Sequence, residues 1–316
     1  MISRRILRIK VLQLLYAYYK STDESLNKVE KELFHSINKT YELYHYLLLL
    51  ILEITDYAAS RIVIARQKNY PSEEDLHPNT KFIENKVIHQ IRMNTDLNNY
   101  LNNNKLSWLK YPELIKKIYS RIRNSEDYKK YMNSPDRSFE DDKQILYNIY
   151  TSCIATSEDL YNHLEEQSIY WNDEVEFVIS IIIKTIKGFK EDDRENVRLF
   201  SLFKNNDDIE FVKRLFRKAV LHKEEHLELI EKFTQHWEIE RIAFMDILIL
   251  QLAITEVIEF ESIPTKVTFN EFLEIAKYYS TNKSSIFING VLDKIIGYLK
   301  ENNKFRKQGR GLVGEN

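Results

Sequence analysis

Apolar side chains recur at intervals of three or four residues along almost the whole chain. This spacing places them on one face of an α-helix, and no alternating apolar and polar run bounded by tight-turn dipeptides interrupts it. The pattern therefore predicts an all-α fold. Residues 71–135 are the most broken part, because they hold four of the five prolines together with Asn-rich stretches. Proline ends helices and asparagine favours turns.

Several helix boundaries follow from the same pattern. Ser138 and Thr156 each precede an acidic residue by three positions, which predicts capping boxes at two helix starts. Asn172 opens a further helix that we expect to end at Gly188. After a polar linker over residues 204–208, one helix is predicted from Phe211 to about residue 233.

The C-terminal third carries the most apolar segment. Residues 237–259 are apolar on most faces, which predicts a central helix buried by its neighbours. Pro264 ends it, and two further helices are expected over about 267–277 and 287–297. Gly290 within the last helical pattern costs about 1 kcal/mol relative to alanine, so we expect it to permit close contact with another helix or a ligand, packing being favoured.

Composition narrows the classes of function. The chain has 316 residues, 43% of them hydrophobic, and a net charge of -2, so any affinity for nucleic acid must come from local clustering of charge. Of the six glycines, three lie in the last eight residues and the other three are isolated, which excludes a phosphate-binding glycine loop, and Cys153 alone cannot form a disulfide framework. The longest apolar run, residues 46–52, is too short to span a membrane. Ser3-Arg4-Arg5 is similar to an export signal, but Lys10 interrupts the apolar segment. We therefore expect a cytoplasmic protein without a membrane span.

The first twenty residues contain five basic side chains and no acidic one. Arg4, Arg5 and Arg8 share one arc of a predicted helix beside an apolar stripe. Cations in a first helical turn oppose the helix dipole at roughly 0.3–1 kcal/mol each. A solvated basic face is one explanation, and a phosphate-bearing partner is the other.

Four segments occur in a recognisable order. They are Arg4-Arg5-x-x-Arg8, the Ile-Pro-x-x-Val sequence of 263–267, the Phe-Asn-Glu-x-x-Glu-x-Ala-Lys sequence of 269–277, and Phe-x-Asn-Gly-Val-Leu-Asp at 287–293. Together with the long buried helix, these segments resemble the transcription antitermination factor NusB family. The resemblance implies a NusB-like helical bundle with an inserted helical region. It assigns residues 1–58 and 206–300 to the bundle, 59–205 to the insertion and 301–316 to a basic flexible tail.

In this family the first helix and the start of the last helix contact the boxA element of nascent ribosomal RNA, beside a small-subunit ribosomal protein that acts as NusE. The resemblance therefore implies boxA-like single-stranded RNA, NusE and the RNA polymerase antitermination complex as partners, with no cofactor and no enzymatic activity. It assigns RNA contacts to Arg4, Arg5, Arg8, Tyr16 and Phe287, and partner contacts to Lys283 and Ser284. Packing is the alternative for Tyr16 and Phe287, and dimerisation stays open.

Two other functions stay as alternatives. Family members often carry an acid and a lysine in the loop before the last helix, where this chain has Lys283 and Ile286. A NusB-like protein-interaction module in ribosome biogenesis, without boxA specificity, fits that departure. The sequence His222-x-x-Glu225-His226 fits the pattern of an inverted zinc protease, although the two histidines share a face with apolar residues.

Overall fold

The computed structural model describes residues 3–21, 25–203, 205–234, 242–281 and 284–314, and within them it contains helices and no strand. The predicted all-α fold is confirmed. In these ranges no helix combines the length and apolarity that crossing a lipid bilayer requires. The α-helices are α1 Arg4–Lys20, α2 Leu26–Arg66, α3 Glu73–Leu76, α4 Lys86–Met93, α5 Thr95–Asn104, α6 Pro112–Asn124, α7 Glu126–Asn133, α8 Phe139–Asn148, α9 Glu158–Gln167, α10 Val175–Gly188, α11 Asn206–Leu221, α12 Lys223–Phe233, α13 Phe244–Glu259, α14 Thr265–Tyr279 and α15 Ser284–Glu301.

The chain forms two compact units. The first comprises Met1–Ile37 and Ser201–Asn316, and the second comprises Asn38–Phe200. The sequence places the beginning of the insertion at residue 59 and its end at 205, whereas the units divide after Ile37 and Phe200. The first of these divisions falls within the continuous helix α2, where helical periodicity alone carries no boundary signal.

Helix α13 is the centre of the first unit, as the sequence predicts, and it packs against α1, α11, α12, α14 and α15. Eleven of its sixteen residues are buried, which explains why its apolar residues occur on most faces. The helix begins at Phe244, and residues 237–241 of the predicted helix lie outside the described residues. Pro264 separates it from α14, as expected.

The helix predicted from Phe211 to about residue 233 is two helices. His222 is both the C-cap of α11 and the N-cap of α12, and its backbone angles are φ -103° and ψ 24°. Both helices pack against α13, and the break lets each present its apolar face to it. The prediction of one helix was wrong because the apolar periodicity continues across the break and gives no sign of it.

The second unit has an aromatic core. Trp108, Tyr150 and Trp171 are at most 4% exposed, and the Trp108 ring stacks on Tyr46 with 3.9 Å between ring centroids. The short helices α3 to α7 occupy the proline-rich and Asn-rich region, and α6 begins at Pro112. The aromatic residues of the insertion that the structure buries are therefore packing residues.

Three of the predicted helix starts can be compared with the structure. Ser138 caps α8 by accepting a hydrogen bond from the Asp141 amide, but the Ser138 amide donates to Asp136, so the predicted capping box is not formed. The cap of α9 is Ser157, one residue after the expected Thr156. Helix α10 ends at Gly188, as expected, but its N-terminal cap is Glu174, two residues after the expected Asn172.

The C-terminal segment packs on the end of α13, although residues 301–316 are expected to form a basic flexible tail. Lys307 is 8% exposed, and its ammonium donates to the carbonyl oxygens of Val257 at 2.9 Å and Phe260 at 3.0 Å. The Gln308 amide donates to the Glu261 carbonyl at 3.0 Å. These contacts are formed at the end of α13, about 50 residues away, and local composition does not show them.

Candidate nucleic-acid interface

Helix α1 is positioned by an apolar face against the first unit. Ser3 caps it, and the buried Leu7, Val11, Leu12 and Leu15 have no exposed surface. These residues hold α1 against α11, α13 and α14. This packing therefore sets the direction in which each arginine of the first two helical turns points.

Arg8 lies inside the protein. Its side chain is 3% exposed, and its Nε and Nη2 atoms each donate to a carboxylate oxygen of Glu256 at 2.7 Å. Glu256 has no exposed side-chain surface and also accepts a hydrogen bond of 2.7 Å from the Thr268 hydroxyl. The expectation that Arg8 shares an exposed cationic face with its neighbours is therefore wrong. At about 100° per residue, Arg8 lies close enough to the apolar stripe to be buried with it once a carboxylate is available.

Arg4 and Arg5 are half-exposed and paired with carboxylates. Arg4 donates to Asp208 at 3.1 Å and lies 5.0 Å from the centre of the Phe211 ring. Arg5 makes two hydrogen bonds to Glu271, of 2.9 and 2.8 Å. These bonds raise the pKa of Arg5 above its already high ordinary value. The Arg5 guanidinium therefore stays charged at the surface.

Glu271 links two of the arginines. It accepts both bonds from Arg5, and its Oε2 atom lies 3.6 Å from Nη1 of Arg8. Exposed ion pairs contribute about 0–1 kcal/mol, so a phosphate can take the place of the carboxylate beside Arg5 at little cost, whereas Asp208, the partner of Arg4, is only 7% exposed. Removing Arg8 from the fully buried Glu256 costs far more.

The exposed stripe of α1 continues beyond the arginines. Residues 5, 9, 13, 16 and 20 lie on one helical face, so the stripe joins Arg5 to Lys20 over roughly 22 Å. Tyr16 is 39% exposed, and its ring lies 5.6 Å from the Phe244 ring. The Lys20 ammonium is above the Phe244 ring at 4.6 Å. Phe244 and Lys20 are not among the site residues that the sequence predicts.

The start of α15 presents a second exposed surface. Phe287 is half-buried, and Ile286 is 77% exposed. A Cβ atom at Gly290 would meet no described atom within 4 Å. The expectation that Gly290 serves close packing between helices is therefore wrong, and its lack of a side chain leaves the surface open instead. Tyr278, near the end of α14, is 81% exposed.

Ser284 lies inside the fold. It is 3% exposed, and its hydroxyl is hydrogen-bonded to Ser280 at 2.9 Å and to Thr281 at 2.8 Å. Ser280 in turn donates to the Asp246 carboxylate. Ser284 therefore ties the start of α15 to α13. Lys283, the other residue expected to contact a partner, lies outside the described residues.

The His222-x-x-Glu225-His226 sequence is a structural element of α12. His226 is 4% exposed, its Nδ1 atom lies 3.4 Å from the Thr255 hydroxyl, and burial lowers its pKa to about 4. His222 pairs with Glu225 at 3.2 Å on the surface. No group of three or more His, Cys, Asp and Glu residues that could hold a metal occurs in the described part of the chain. The contacts of His226 favour packing.

The fold and this surface define a class of protein: an all-helical protein with cationic and aromatic side chains along its first helix. The NusB family model matches residues 181–297. A transcription antitermination protein NusB of Salinibacter ruber is 46% identical over 105 residues, which are 33% of this chain and 66% of that protein. The NusB protein of Natranaerobius thermophilus is 37% identical over 97 residues, covering 31% of this chain and 70% of the relative.

A third relative, the NusB protein of Chloroherpeton thalassium, is 36% identical over 104 residues, which are 33% of this chain and 49% of that protein. No solved structure matches this chain. The chain belongs to the NusB family, and the predicted resemblance is confirmed. The family match agrees with the expectation that the protein is not an enzyme. Helix α1 lies outside residues 181–297, so the roles of its residues depend on geometry.

Proposed function

We propose that this protein is a transcription antitermination factor that binds boxA-like single-stranded RNA with the exposed stripe of α1, together with NusE, in the cytoplasm. The observation that carries the proposal is the stripe itself. It has a guanidinium at one end, an ammonium at the other, and Tyr16 and Phe244 beside the ammonium. Cations neutralise the phosphates of single-stranded RNA, and aromatic side chains stack on its unpaired bases.

The start of α15 is the second part of the proposed RNA surface. Phe287 is half-buried, and the open space at Gly290 lies one helical turn further along. We assign base stacking to Phe287. NusE, the ribosomal protein partner, is assigned to the exposed side chains of Tyr278 and Ile286, which lie on either side of the connection between α14 and α15, because exposed apolar surface favours a protein partner. Participation in an RNA polymerase antitermination complex and dimerisation belong to the same proposal.

The paired state of the arginines has a consequence for affinity. Arg4 and Arg5 must leave Asp208 and Glu271 to contact phosphates, which reduces the gain from each contact. We therefore expect weak binding of RNA by the protein alone and tighter binding with NusE. Because Arg8 is buried, we assign it a structural role beneath this surface and no contact with a phosphate.

The test is a titration of the full chain with boxA-like and scrambled RNA, with and without NusE. Arg5→Ala should weaken boxA binding and reduce the salt dependence by about 0.7 in the log–log slope, as for one lost phosphate contact on a single strand. Arg214→Ala is the matched control, because Arg214 is also exposed and paired with a glutamate, Glu259, at 2.9 Å.

Equal effects of the two substitutions would exclude the α1 stripe from the site. The second candidate function is the NusB-like interaction module in ribosome biogenesis. The pairing of Arg4 and Arg5 with carboxylates and the exposure of Tyr278 and Ile286 favour it. Binding of NusE without any preference for boxA over scrambled RNA would establish that module and refute the antitermination proposal.

A further inference from the structure

A cleft of about 640 Å³ lies at the N-terminal end of α1. Ser3, Arg4, Arg5 and Arg8 line it at the start of α1, and Ser262, Ile263 and Pro264 line it from the connection between α13 and α14. The remaining wall is formed by Val267 and Glu271 of α14 and by Arg310 and Val313. Arg310 and Val313 belong to the C-terminal strap, by which we mean residues 304–314.

The strap is held in place by its own sequence. Lys307 binds the carbonyl oxygens at the end of α13, where a cation also complements the helix dipole. Gly311 is buried, and a Cβ atom there would lie 1.9 Å from the Glu261 carbonyl oxygen. Only glycine permits this close approach. The contacts of Lys307 and Gly311 therefore fix the strap on both sides of Arg310 and place this residue at the cleft.

Arg310 gives the cleft an excess of positive charge. Arg4, Arg5 and Arg8 each have a carboxylate partner. Arg310 is exposed and forms no ion pair with any residue that the structure describes. The first turn of α1 contains no acidic residue, so the positive end of its dipole adds to the same potential. An anion is the ligand that this arrangement favours.

The walls of the cleft also have apolar surface. Val267 is 43% exposed and Val313 is 69% exposed, and Pro264 lies beside them. The volume is within the range of about 300–1,000 Å³ that small-ligand sites occupy. A phosphate bound by arginine forks, with a flat apolar group next to it, matches both parts of the lining.

We propose that the cleft binds one nucleotide of a single-stranded RNA, with its phosphate between Arg5 and Arg310 and its base against Pro264 and Val313. The strap is then part of the RNA site, and its Arg310 is a binding residue. This inference rests on the proposed function, since it extends the α1 stripe past Arg5 by one nucleotide.

The experiment measures binding of a fluorescent boxA-like RNA to the full chain over 50–200 mM salt. Arg310→Ala should weaken binding about tenfold at low salt, the equivalent of one charge-assisted hydrogen bond. Between 50 and 200 mM salt, the affinity of this variant should also fall by a factor about 2.6 times smaller than that of the unaltered chain, as expected for one lost phosphate contact. Arg306→Ala is the matched control, because Arg306 is an exposed arginine of the same strap that does not line the cleft.

Equal effects of Arg310→Ala and Arg306→Ala overturn the assignment of the strap. If Arg5→Ala still weakens binding in that case, the proposed function stands and only the strap inference fails. If the unaltered chain binds no RNA, both fail together. Arg310 is exposed and forms no described ion pair, so thermal unfolding of Arg310→Ala should match that of the unaltered chain, which separates a lost contact from a lost fold.

Discussion

The buried pair of Arg8 and Glu256 allows the sharpest prediction. Replacing Arg8 by methionine leaves the buried Glu256 carboxylate with the Thr268 hydroxyl as its one side-chain hydrogen-bond donor among the described residues. Two charge-assisted hydrogen bonds of 2.7 Å are lost. Breaking a buried pair by removing one partner costs about 3–5 kcal/mol, and we expect Arg8→Met to lower the free energy of unfolding by this amount.

Arg5→Met is the matched control. Arg5 also makes two hydrogen bonds to a glutamate, Glu271, but its side chain is 44% exposed. An exposed pair contributes about 0–1 kcal/mol. The double substitution Arg8→Met with Glu256→Leu removes both charges, and it should recover most of the lost stability because replacing a buried pair by apolar residues is often neutral or stabilising.

The assay is hydrogen–deuterium exchange of peptides from α13, because it reports on the first unit even where the two units do not unfold together. Urea denaturation followed by circular dichroism gives an independent value. A loss for Arg8→Met within about 1 kcal/mol of that for Arg5→Met would refute the argument. It would show that Arg8 acts as a surface cation, as the sequence alone suggests.

Three further predictions concern single side chains. Gly290→Ala should stabilise α15 by about 1 kcal/mol in urea denaturation, because the position is helical and open, yet weaken RNA or NusE binding; unchanged binding would leave the open surface without a role. Gly311→Ala should release the strap and accelerate its proteolysis, because the Cβ collides with a carbonyl oxygen; unchanged proteolysis would show that the backbone adapts. For His226 the folded pKa of about 4 lies below the ordinary 6.5, so the unfolded state takes up the proton first and stability falls as the pH falls from 6.5 towards 4. The expected loss of unfolding free energy from pH 7 to pH 5 is about 2 kcal/mol, and the loss for His226→Leu over the same range should be smaller by that amount. Equal pH dependence of the urea midpoints of the two proteins would contradict this prediction.

The sequence by itself determined the helical class, the central helix and the family. These follow from local signals, namely apolar spacing, the Ser138 cap and Pro264, and from four motifs in order. Such signals depend on residues within a few positions of each other, so they can be detected along the chain.

The tertiary structure decided which of the cationic side chains face solvent. Arg8 and Arg5 lie three positions apart on one helix, but their partners, Glu256 and Glu271, are 248 and 266 residues further along. Likewise Lys307, Gly311 and the end of α13 meet only in the folded chain. Burial and ion pairing are properties of packed neighbours, and periodicity records the direction of a side chain but not what it meets.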